Sequence, residues 1–162
     1  MKPLQYRAEW YIPNQVIFMA VWGDSSKEAM RSYLTMLNTM ITESFAQSAA
    51  SGKEYGASHL VHVIADFTHI GKQVTVLDMA QVLKTFTPHP NIGWAITYGA
   101  MHPIRRMITD IGRQMMKLRQ RSFDTFDQAI AFLHEIDETL EWSKTDEAAL
   151  DRVRPTFEEI QA

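Results

Sequence analysis

Residues Val16–Trp22 read Val-Ile-Phe-Met-Ala-Val-Trp, apolar at every position. A strand sends successive side chains to opposite faces, so an unbroken apolar run must be covered on both. Two more segments, His59–Ala65 and Gly93–Gly99, have the same character. Three doubly covered strands need helical layers above and below one sheet. The chain has 162 residues, 46% of them hydrophobic. A chain of that size buries about 68–70% of its unfolded surface and needs no staple.

The flanking patterns supply the layers. Residues 4–12 alternate, with Leu4, Tyr6, Ala8, Trp10 and Ile12 on one parity and Gln5, Arg7 and Glu9 on the other. This predicts an edge strand wet on one side, turned back at Pro13-Asn14. Ser25-Ser26-Lys27-Glu28 fits a capping box, and apolar residues from Met30 to Phe45 recur at helical spacing. The predicted helix runs roughly over Ser26–Gln47. A second helix opens at Thr75 with Val76, Met79, Ala80, Leu83 and Phe86 inward and stops at Pro88-His89-Pro90. Pro103 suits the first turn of a third, with Ile104, Met107, Ile108, Ile111, Met115 and Leu118 inward. A short strand near Arg121–Phe123 precedes a fourth helix, opened by a second capping box, Thr125-Phe126-Asp127-Gln128. Residues 139–162 lose the pattern, save for a weak helix near Thr145–Val153. Strands alternating with helices imply right-handed crossovers and a parallel sheet. The expected fold is α/β: an open, mostly parallel five-stranded sheet with an antiparallel N-terminal edge strand and four main helices.

Charge divides the chain unevenly. Residues 1–100 hold seven Lys/Arg and seven Asp/Glu. Residues 101–121 hold six basic side chains against Asp110 alone, and residues 122–162 hold three against eleven acids. On the third helix the inward apolar stripe leaves Arg105, Arg106, Arg113 and Lys117 on the opposite arc. These are candidate partner-binding residues for an anionic surface or an acidic protein, and equally the ordinary solvated face of a helix. A sequence pI near 6.0 disfavours nucleic acid. There are no cysteines, which excludes disulfides, thiolate metal sites and cysteine nucleophiles and favours a cytoplasmic setting. No apolar run approaches the roughly 20 residues of a membrane span, and the first seven residues carry no apolar signal-peptide core.

Three segments carry a family resemblance: His59–Thr68, a strand ending in Asp-Phe-Thr; His89-Pro90-Asn91-Ile92-Gly93-Trp94; and Phe123–Leu133. Together with the element order they resemble STAS domains, the fold of bacterial anti-sigma-factor antagonists and of the cytoplasmic tails of sulfate transporters. Within that CRAL-TRIO superfamily the similarity is to an uncharacterised bacterial branch. It covers about residues 4–138, so a STAS-like domain over 1–138 with an acidic extension over 139–162 is expected. Signalling members carry a phosphorylated serine after the second buried strand. Here Asp66–Thr75 contains no serine, and Thr68 and Thr75 are its hydroxyls. Regulation by a partner kinase therefore does not carry over with the fold.

Ligands of open parallel sheets gather outside the strand carboxyl ends. There the chain offers Asp24, Ser25, Asp66, Thr68, His69, Thr75 and His102 as candidate ligand-binding residues. Helix N-termini beside them would favour an anion. The simpler reading is that each hydroxyl or carboxylate caps a helix. No metal or cofactor is expected: His59 and His62 fall on opposite strand faces, and a site needs three or four converging ligands. No catalytic motif is present either. The reading is a non-enzymatic, STAS-type regulatory or protein-interaction module, cytoplasmic, with a protein partner or a second copy as in a homodimer. The alternative is a carrier or sensor of a small apolar, lipid-like ligand; an enzyme acting at the strand ends comes third. Docking of the acidic extension on the basic helix, through Trp142, Leu150, Val153 and Phe157, is a further expectation.

Overall fold

The computed structural model describes residues 2–99, 114 and 117–161. Among the described residues five strands lie in sequence order across one sheet. They are β1 (Gln5–Ile12), β2 (Val16–Gly23), β3 (Val61–Ile70), β4 (Ile92–Tyr98) and β5 (Arg119–Phe123). β1 pairs antiparallel with β2, and β2–β3, β3–β4 and β4–β5 are all parallel. The sheet is the expected one, with its antiparallel strand at the N-terminal edge.

β2 sorts its side chains by parity. Ile17, Met19 and Val21 join Val61, Val63 and Ala65 of β3 against Leu37 and Ile41 of α1 (Lys27–Ala50). Val16, Phe18, Ala20 and Trp22 join Ile64, Ile96 and Tyr98 against Ala129, Phe132 and Leu133 of α3 (Phe126–Ile136). Val16, Ile17, Phe18 and Ile64 are fully buried, each worth about 1.5–3 kcal/mol before entropy is counted. α2 (Val76–Thr85) packs Met79, Val82 and Leu83 against Met30 of α1. The helix expected over 103–118 lies outside the described residues, apart from Gln114, Lys117 and Leu118.

Capping follows the sequence with one shift. Ser26, not Ser25, caps α1, its hydroxyl accepting from Ala29 N. Thr125 and Gln128 form the reciprocal capping box at α3. One residue of β1 changes sides. Ile12 shares parity with Leu4 and Trp10 in sequence, yet packs on the α3 side, because the register shifts between Trp10 and Ile12. That irregularity adds one residue to the strand and flips its last side chain.

The α3 side is completed by the end of the chain. Gln15 receives the incoming segment with both ends of its amide, donating to Thr139 O and accepting from Glu141 N. Leu140, together with Leu150 and Val153 of α4 (Ala148–Val153), is buried in the same cluster as Phe18. Trp142 packs against its rim, whereas Phe157, in α5 (Phe157–Gln161), is 72% exposed. The polar parity of β1 consequently meets protein: Arg7 pairs with Glu159 at 2.6 Å, and Glu9 with Arg152 at 2.6 Å. Such exposed pairs are worth about 0–1 kcal/mol each. Placement of this segment therefore rests on its buried aliphatic side chains.

Candidate functional site

The strand carboxyl ends hold a cleft of about 280 Å³, lined by Asp66, Thr68, His69, Tyr98, Arg154 and Pro155. β3 brings the first three. It runs to Ile70, past the Asp66 at which the sequence pattern ends it, so Thr68 and His69 are strand residues. Tyr98 closes β4, beside Asp66 in the parallel register. Arg154 and Pro155 follow α4, which packs on the same face of the sheet as Tyr98, and reach the cleft from there.

Asp66 is 7% exposed and Tyr98 5%. The Tyr98 hydroxyl donates to Asp66 Oδ2 at 2.6 Å, and the Thr68 amide donates to Oδ1 at 2.9 Å. Arg154 donates from Nη2 to the Tyr98 oxygen at 3.3 Å, and its Nε lies 3.8 Å from Asp66 Oδ2. Burial, and then the bond to Asp66, push the Tyr98 phenol above its ordinary range. It stays protonated and donating. Burial works against the charge on Arg154, but Tyr98, Asp66 and Asp151 outweigh it and the guanidinium is held charged. The guanidinium carbon also sits 5.5 Å from the ring centroids of both Phe18 and Phe126. Gly99 lies against Thr68, at φ +78°, where a side chain would collide with the Thr68 hydroxyl. Only glycine suits such a close approach in that conformation.

The remaining candidate residues separate. Asp24 Oδ1 accepts from Lys72 N at 2.6 Å, and Ser25 N donates to Lys72 O at 2.7 Å. These bonds tie the β2–α1 turn to the β3–α2 loop. Thr75 caps α2, its hydroxyl accepting from Asp78 N and donating to the Asp78 carboxylate. His102, Arg105, Arg106 and Arg113 lie outside the described residues, while Lys117 is exposed, with φ 53°. Tyr98 and Arg154 went unsuspected. The signal available for Tyr98 was its place as the last side chain of a buried strand; for Arg154 it was the Pro155 that ends a helix beside it.

A second cleft, of about 400 Å³, opens at the strand amino ends near His62, Asp137, Trp94 and Arg119. His62 is 1% exposed. Its Nδ1 accepts from the Trp94 amide at 2.9 Å, which puts the ring proton on Nε2, where it donates to Asp137 Oδ2 at 2.8 Å. Burial pushes the imidazole below its ordinary pKa, and the pull from Asp137 does not reverse that. Burial would raise the Asp137 carboxyl, but the bonds from Thr139 and His62 hold it below the usual range. The pair is thus a neutral imidazole bonded to a carboxylate. Both ring nitrogens are engaged by these bonds. Among the described residues no group of three or more His, Cys, Asp or Glu could hold a metal ion. Nor is any described helix long and apolar enough to cross a membrane.

No family model matches the chain, and no curated protein matches it. Among solved structures it is similar to a protein of Shewanella loihica, described as an uncharacterized member of the DUF3478 family with a SpoIIAA-like fold. The two share 11% identity at a TM-score of 0.48, over 81% of this chain and 94% of the other.

Proposed function

We propose that the chain is a STAS-type regulatory or protein-interaction module with no reaction of its own, acting in the cytoplasm on a protein partner or a second copy. The observation that carries the reading is the state of the carboxylates at the strand ends. Asp66 is bonded to Tyr98 and to the Thr68 amide, and Asp24 to the Lys72 amide. A carboxylate acting as general base must be free to meet a substrate proton, and these two hold their own loops in place instead. The strand order and the antiparallel edge strand accord with the family the sequence resembles. Five of the six residues lining the carboxyl-end cleft carry polar side-chain atoms, which speaks against an apolar carrier site there. Lys117, exposed, is the described cation of the proposed contact; Arg105, Arg106 and Arg113, expected from the sequence to join it, lie outside the described residues.

The test is cross-linking in the cells that make the protein, followed by native mass spectrometry of the purified species. The reading predicts a discrete heavier species containing this chain and a protein, weakened when Lys117 is replaced by Glu. A chain found only at its own mass, or carrying a stoichiometric apolar small molecule, would overturn it.

A further inference from the structure

The geometry points to Arg154 as the anchor of a carboxylate-binding site in the cleft at the ends of β3 and β4, with Thr68 and His69 as flanking donors. This goes beyond the interaction reading and does not depend on it. A guanidinium has five N–H donors in a planar fork. Among the described residues Arg154 makes one hydrogen bond, from Nη2 to Tyr98. Its Nε contact to Asp66, at 3.8 Å, is beyond hydrogen-bond range. With respect to the described residues, four donors are left on a side chain that is 39% exposed and lines the cleft.

The fork is also held in place. Phe18 and Phe126 lie at 5.5 Å from the guanidinium carbon, and Tyr98 fixes one end. A fork whose orientation is set in advance loses less freedom on binding. Thr68 and His69 are exposed on the same cleft, and both side chains can donate to an oxyanion.

Charge decides the class of anion. Among the described residues Asp66 and Asp151 already act on Arg154, and both carry charge of the sign opposite to its own. A dianionic phosphate would carry one charge more into the field of those two carboxylates. A carboxylate brings a single charge and two coplanar oxygens that match the fork. The cleft, at about 280 Å³, lies just below the usual range for small-molecule sites, about 300–1,000 Å³. It suits a small acid or the terminal carboxylate of a larger molecule.

The experiment is titration of the isotopically labelled full chain with acetate, read at the backbone amides of Thr68, His69 and Gly99. The shifts should saturate below about 50 mM, a weak but specific affinity. Arg154→Lys keeps charge and bulk but loses the fork, and should weaken binding about tenfold; Arg154→Gln should abolish it. A short peptide with a free C-terminal carboxylate, compared with its amidated form, distinguishes the source. Binding tighter than acetate and lost on amidation assigns the ligand to a protein terminus, and binding no tighter assigns it to a free acid. Shifts that fail to saturate, that are unchanged in Arg154→Lys, or that report tighter binding of inorganic phosphate than of acetate would overturn the proposal.

Discussion

Tyr98→Phe removes one oxygen atom and leaves the ring in the core. Its hydroxyl donates to Asp66 Oδ2 at 2.6 Å, and both residues are more than nine-tenths buried. A buried charged acceptor that loses a donor costs about 1.5–3 kcal/mol. The Thr68 amide still serves Oδ1. Arg154 Nε, at 3.8 Å, needs to approach by only about 1 Å to reach hydrogen-bond range. These two contacts put the expected loss at the lower end, about 1.5–2 kcal/mol. For a domain of this length that is a fall of roughly 3–8 °C in Tm. Urea denaturation at pH 7 should show a lower midpoint with an unchanged slope. Asp66→Ala and the double variant complete a cycle, in which a coupling of about 1–2 kcal/mol is expected for groups in direct contact. A Tyr98→Phe effect under about 0.5 kcal/mol, or additivity of the two changes, would refute the claim that this pair organises the strand ends.

Three other perturbations test neighbouring parts of the account. Unfolded His62 takes up a proton below its ordinary pKa of about 6.5, whereas the folded ring, held lower by burial, does not. The unfolded state then binds more protons, so the urea midpoint should fall as pH drops from about 6.5, and fall less in His62→Gln. Asp137, depressed in the fold, adds a further loss below the ordinary carboxylate range. Gly93→Ala would place a Cβ 2.7 Å from His62 Nδ1, in the path of the Trp94 bond. The expected cost is about 1–3 kcal/mol from overpacking, and a circular dichroism melt within 1 °C of the parent would count against that packing. In the C-terminal segment, Leu150→Ala should cost about 2–5 kcal/mol, while Phe157→Ala should stay within about 0.5 kcal/mol. Comparable urea midpoints for the two variants would mean that the segment is not anchored through α4.

The sheet could be read from the chain because its signals are local. A short run apolar on both parities, bounded by turn residues, fits a strand covered on both faces, and β2 is one. Alternation in residues 4–12 placed β1 at an edge. What could not be read depends on partners far away in sequence. Arg7 and Glu9 look like a wet face, yet they meet Glu159 and Arg152, about 150 residues on. Ile12 changes sides through a register shift that leaves no mark on composition. At the carboxyl ends, Asp66 is marked by the end of a strand pattern, and Thr68 and His69 by the polar segment that follows it; that the three share a cleft is visible only in the fold. Asp24 and Thr75 carried the same residue-type signal but serve as loop ties and a helix cap. Tyr98 reads as core and Arg154 as part of an acidic stretch, and only the packing of α4 on that face of the sheet brings them together.

The claim on which the rest depends is that the C-terminal segment is part of the layer covering β2 and so delivers Arg154 to the strand ends. Amide hydrogen exchange of the full chain tests it directly. The amide of Arg154, bonded to Leu150 O, and that of Asp146, bonded to Tyr11 O, should be protected to within about tenfold of the β3 amides. Exchange at both positions as fast as in an unstructured peptide, with β3 still protected, would contradict it.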